Sequence, residues 1–135
     1  MKKITLFLVL LFCLGMTGCN KDADINVFVT EFESVTKEIV AKIDADPSEK
    51  GIDAAQKAFD ARKASLTAKW VAIKDVMGFQ VSADVKKKLD ASVKKSTDDL
   101  MAVTAKHAME LATEDGAMKK FEALLKDYQS LFETK

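Results

Sequence analysis

The run DINVFVTEFESVTKEIVAKI, residues 24–43, decides the fold. Its apolar residues Ile25, Phe28, Val29, Phe32, Val35, Ile39, Val40 and Ile43 recur every three or four positions, which gathers them on one face of a helix. Asp22 or Asp24 is placed to cap its start. The run Asp44-Ala45-Asp46-Pro47-Ser48-Glu49 then reads as a stop and a restart. Asp46 suits an N-cap, Pro47 the first helical position, and Glu49 the capping-box spacing.

The same period continues downstream. A second helix is predicted to about Met77, capped by Gly78, with Ile52, Ala55, Phe59, Leu66, Trp70, Ile73 and Met77 on its apolar stripe. Phe79-Gln80-Val81 is a short connection, and Ser82 is the N-cap candidate of a third helix reaching about Ala112. Its stripe is Val85, Leu89, Val93, Ser96, Leu100, Val103, His107 and Leu111. Thr113-Glu114-Asp115-Gly116 breaks the pattern, and a fourth helix follows with Met118, Phe121, Leu124, Leu125, Tyr128, Leu131 and Phe132 on one face. No strand-like alternation and no repeat of fixed period occurs. Four such helices can bury their apolar faces only against one another, so the expected class is all-α: a small antiparallel, up-down-up-down bundle over residues 24–135. The third and fourth helices either separate at Gly116 or continue with a bend.

Composition bounds the rest. The 135 residues hold 48% apolar residues, one Pro and five Gly, which argues against disorder, and two Cys, which argues against a disulfide scaffold. The 21 basic residues balance 21 acids, so the electrostatic footprint of a general nucleic-acid binder is missing.

The amino terminus has a different pattern. Met1-Lys2-Lys3 is a short positive segment and Ile4 to Leu14 an apolar run, the length of a signal-peptide core and well short of the roughly 20 residues of a membrane span. Leu14-Gly15-Met16-Thr17-Gly18-Cys19-Asn20 follows, small residues leading into a cysteine. This run resembles the lipobox of bacterial lipoproteins, with Met16 where that family usually has Leu. The resemblance implies that residues 1–18 are a signal peptide removed before Cys19, that Cys19 carries a covalent diacylglycerol, and that its new amino group is acylated. It further implies a short tether over residues 19–23. Two or three acyl chains anchor stably where one would be marginal. Asn20 stands where an Asp would retain the protein in the inner membrane under the enterobacterial sorting rule, so the implied address is the periplasmic face of the outer membrane. Cys13 would leave with the signal and Cys19 would be a thioether, leaving no thiol for catalysis, metal ligation or a disulfide.

Chemistry-bearing motifs are few. There is no Gly-rich phosphate loop and no Gly-x-Ser-x-Gly elbow, and a Ser-His-Asp triad would have to use His107, the one histidine. His107 falls on the apolar stripe, which makes it a buried or half-buried core histidine hydrogen-bonded to Ser96, Tyr128 or a backbone carbonyl. The sharper alternative is a small-ligand or haem site centred on His107, with Met77, Met101, Met109 or Met118 as a second axial ligand. A di-iron bundle would need paired Glu-x-x-His motifs, which one histidine cannot supply. Asp98 and Asp99 are adjacent on a helix and diverge, so they are poor acid/base partners.

Charge is unevenly spread. Residues 22–46 hold seven acids and two lysines, while Lys86, Lys87, Lys88, Lys94 and Lys95 make the start of the third helix basic. That face is a candidate for meeting an anionic surface or partner, or is a solvated face paired through Asp84 to Lys88 and Asp90 to Lys94. One arginine among the 21 basic residues disfavours bidentate phosphate recognition. On the second helix Ala54, Ala58, Ala61, Ser65, Ala68 and Ala72 form a small-residue stripe that could admit a second copy, although Ala also fills exposed helix positions. The expectation is therefore a non-enzymatic lipoprotein with no metal and no cofactor beyond the lipid on Cys19. Its bundle would act as an adaptor, assembly factor or inhibitor on an envelope protein.

Overall fold

The computed structural model describes residues 21–75 and 81–133. The signal segment, Cys19 and the expected Met77-Gly78 cap lie outside the described residues. Among the described residues there are five helices: α1 (Asp22–Ala45), α2 (Glu49–Lys74), α3 (Ala83–Lys106), the short α4 (Ala108–Thr113) and α5 (Asp115–Ser130). The fold is an all-α bundle, with no strand among the described residues.

Helix α1 is the centre of the bundle. Ile25, Phe28, Val29, Phe32, Val35, Ile39 and Ile43 are all buried, the face that its 3–4 spacing demands. It begins at Asp22, inside the span expected to be tether, because Lys21 occupies the N-cap position and its carbonyl already accepts from Ile25 N–H. Asp22 and Asp24 therefore sit in the first turn, where their charge complements the helix dipole, and neither caps it.

The α1–α2 corner also differs from expectation. Ser48, one residue past Pro47, is the N-cap of α2, and the Asp46 carboxylate accepts from both the Ser48 backbone N–H (3.2 Å) and its hydroxyl (2.6 Å). These hydrogen bonds hold the Asp46 carboxyl below its usual range. The first free N–H of α2, at Glu49, is taken by the Glu114 carboxylate from the start of α5 (3.1 Å).

The corner leaves no room beside Gly51. A Cβ there would overlap the Asp46 carbonyl oxygen and lie 2.7 Å from its carbonyl carbon, so backbone must move. Gly51→Ala is expected to cost about 1–3 kcal/mol as an overpacked site. At Gly116 an added Cβ meets only the end of the Glu49 side chain. Gly116→Ala should therefore be neutral or stabilise by up to about 1 kcal/mol through helix propensity. Urea unfolding of both variants checks the contrast, and equal costs would refute it.

Alternate helices run in opposite directions, and their neighbours in the bundle follow from a few long-range contacts. Ser82 N–H donates to Asp22, Lys88 to Asn26, and Lys106 to Asp44, so α3 lies alongside α1 and parallel to it. Lys120 reaches Glu49 and Asp53, and Gln56 reaches Asp127, so α5 lies parallel to α2. Helix α1 packs on α2 and α3, and α2 packs on α5. The order around the bundle is thus α3, α1, α2, α5.

Between α3 and α5 no Cα atoms come within 8 Å of each other among the described residues. Aromatic rings fill the interior instead. Phe32 stands 5.6 Å from Phe28, 5.2 Å from Tyr128 and 5.5 Å from Phe132, and Phe132 meets Trp70 edge-on at 5.0 Å.

Candidate functional site

Helix α3 ends one residue before His107, six residues short of the expected Ala112. The His107 backbone (φ −107°, ψ 19°) leaves helical geometry, and its N–H closes the helix on Val103. A second break at Glu114 separates α4 from α5, so the third and fourth helices are joined by a short intervening helix.

The His107 ring is half-buried, as its place on the stripe predicts, and faces the end of α1. Nε2 lies 2.8 Å from Asp44 and Nδ1 3.3 Å from Glu110, and only 12% of the side chain is exposed. The expected partners Ser96 and Tyr128 are elsewhere. Lys106 also bonds Asp44 (2.5 Å), and the hydrogen bonds from Lys106 and then His107 hold the Asp44 carboxyl below its usual range.

This cluster staples the end of α1 to the end of α3. A neutral imidazole has one N–H, so only the imidazolium can donate to both carboxylates. The two ring nitrogens point apart and the carboxylates with them, so they do not converge on one ion. Among the described residues no group of three or more His, Cys, Asp or Glu side chains could hold a metal.

Tyr128 anchors a different polar site. Its hydroxyl lies 2.6 Å from Thr36 Oγ1, and Thr36 donates onward to the Phe32 carbonyl (2.8 Å). Thr36 has one hydroxyl proton, so the phenol must be the donor to it. Burial pushes the Tyr128 hydroxyl strongly up, against the smaller opposing effect of hydrogen bonding to Thr36 and Ser96.

Glu31 marks the α1–α2 seam. It accepts from Lys69 (2.5 Å) and Ser65 (3.2 Å), with Arg62 at 3.9 Å. Desolvation raises its carboxyl, but these three residues more than reverse that and leave it below the usual range.

The lysine face divides. Lys94 and Lys95 pair with Asp98 and Asp99, four residues on, and Lys88 donates to Asn26 of α1. Lys86 and Lys87 are exposed. The expected pairings through Asp84 and Asp90 are replaced by these. The small-residue stripe of α2 also divides: Ala54 and Ala58 are half-buried, Ser65 is bound to Glu31, and Ala61, Ala68 and Ala72 are exposed.

The separation of α3 from α5 leaves an apolar slot of about 300 Å³. Val93, Leu100 and Met101 line one wall and Leu125, Tyr128 and Phe132 the other. Residue patterns had placed each of these on an apolar face except Met101, which is 64% exposed at the rim. The slot itself has no local sequence signal, because it arises from the spacing of two helices. No protein-family model, curated protein or solved structure matches this chain.

Proposed function

We propose that this chain is a lipid-anchored cell-envelope protein whose helical bundle works by contact, as an adaptor, assembly factor or inhibitor, and not by catalysis. The lipobox-like run ending at Cys19 carries the reading. The start of the fold supports it: Lys21 is already hydrogen-bonded into α1, so a single residue, Asn20, separates it from Cys19. A bundle tethered that closely sits against the bilayer. No helix among the described residues is long and apolar enough to cross a membrane, so attachment of the mature chain rests on lipid.

The parallel packing of α1 and α3 adds a second support. Ser82 bonds to Asp22, so Lys86 and Lys87, just inside α3, stand at the anchor end, where anionic headgroups would meet them. The alternative centred on His107 gains no support from a ring whose two nitrogens already face carboxylates.

Metabolic labelling with palmitate tests the anchor. The wild-type chain should be labelled and should sediment with membranes, and Cys19→Ala should lose the label and become soluble or remain as an uncleaved precursor. A Cys19→Ala chain that stayed labelled would refute the assignment. Cross-linking in intact cells, followed by solubilisation, tests the contact role, and recovery of no specific envelope protein would count against it.

A further inference from the structure

The slot between α3 and α5 is an apolar cavity of about 300 Å³. None of the described side chains lining it carries a charge, and their polar groups are few: Thr97, Gln129 and the Tyr128 hydroxyl, the last already bonded to Thr36. Its chemistry selects an occupant. A helix with its side chains is about 10 Å across and does not enter a space of about 300 Å³. An extended peptide would fit in width but would bring a backbone N–H and C=O at every residue, nearly all of them without a partner on these walls. A hydrocarbon chain brings no polar groups and needs none.

Position selects the source. Phe132, at one end of the slot, packs against Phe28 in the second turn of α1 at 6.4 Å. That end is the one at which α1 begins, and Cys19 lies two residues before Lys21. We propose that the slot between α3 and α5 holds one acyl chain of the lipid on Cys19 while the protein is out of the bilayer. The proposal rests on the lipid-anchor reading above. It gives the open side of the bundle a function: the chain would lie along Phe132, Leu125 and Leu100, shielded from water until the protein reaches a membrane.

Trp70 is the one tryptophan and touches Phe132, so it reports on the slot. Dibromostearate, a heavy-atom quencher with an acyl tail, is titrated into the lipid-free mature chain beginning at Asn20. Quenching should saturate at one equivalent. Met101→Lys combined with Gln129→Lys, both at exposed positions, should weaken it about tenfold or more by placing charge at an apolar mouth, with the thermal melt unchanged. Lipidated protein freed of detergent should show no such quenching, since its own chain fills the slot.

Quenching that fails to saturate, or that ignores the double variant, overturns the proposal. Equal binding by lipidated and lipid-free protein also overturns it, because the slot would then be empty in the anchored form. A lipid-free chain that sediments as a dimer, and that the double variant converts to monomer, assigns the slot to a second copy instead. The palmitate experiment keeps the two readings apart. Label on Cys19 without saturable quenching removes only the slot, and absence of label removes both.

Discussion

Phe32→Ala should destabilise the protein by about 3–5 kcal/mol, the range for truncating a buried aromatic residue. Against a total of roughly 5–15 kcal/mol for a domain, that is a third of the stability or more. Phe32 is fully buried, and its ring contacts Phe28, Tyr128 and Phe132 within 5.6 Å. Those neighbours belong to α1 and to the α5 end, and each is held by contacts of its own. Phe28 packs against Trp70, Tyr128 is bonded to Thr36, and Phe132 leans on Trp70. The hole left by the ring therefore collapses poorly, which places the cost toward the upper end. The melting temperature should fall by on the order of 15 °C. Met101→Ala, at a side chain 64% exposed, should stay within about 0.5 kcal/mol. A Phe32→Ala variant that lost less than about 1 kcal/mol in urea unfolding would show that the aromatic column does not join α5 to the rest of the bundle.

The faces of the helices were legible because a 3.6-residue period is a local property. All seven of the residues from Ile25 to Ile43 that α1 buries on its apolar stripe can be read from their spacing, as can Ile52, Ala55, Phe59, Leu66 and Ile73 on α2. Ser92 and Thr36 are buried on the same periods, but a hydroxyl residue reads as polar, so neither was anticipated. Neighbour relations are another matter. The bonds that set α3 parallel to α1, from Ser82 to Asp22, Lys88 to Asn26 and Lys106 to Asp44, join residues about sixty positions apart. Two amphipathic helices of opposite or like direction present the same pattern, so no window on the sequence distinguishes these partners from others.

His107 shows the same limit. At 100° per residue it falls on the stripe of α3 and is half-buried there, although the helix ends at Lys106 and not at Ala112. Which group the ring meets, the Asp44 carboxylate at the end of α1, depends on the neighbouring helix and not on the stripe. The lysine face shows the converse. Lys94 and Lys95 are neutralised by Asp98 and Asp99 at helical spacing, which a sequence does display, while Lys88 is taken by a residue of another helix, which it does not. Both outcomes shift the basic character toward Lys86 and Lys87, at the anchor end.

The single tyrosine offers a titration that reads one residue. Burial, with the negative charge of Asp99 adding a little, pushes the Tyr128 hydroxyl well above its usual value, and the hydrogen bonding to Thr36 and Ser96 only partly offsets this. In the unfolded chain the phenol should ionise near its ordinary value of about 10. Between that pH and the folded value, the native state keeps a proton that the unfolded state has lost, so stability falls as pH rises. Below about pH 10 both states are protonated and the group contributes no slope. Native protein should therefore show no phenolate absorbance near pH 10, and phenolate should appear only together with loss of helical circular dichroism. In urea it should appear near pH 10 with no such coupling. Tyr128→Phe should cost about 1 kcal/mol at neutral pH for the lost hydrogen bond. It should also soften the alkaline decline. Lys95 and Lys120, raised by hydrogen bonds to Asp99 and to Asp53 and Glu49, lose their contribution as pH rises through their folded values in both proteins, so the difference between the two curves isolates the phenol. Phenolate appearing near pH 10 while the helices stay intact would mean that Tyr128 is open to water, and that the slot it lines is wet.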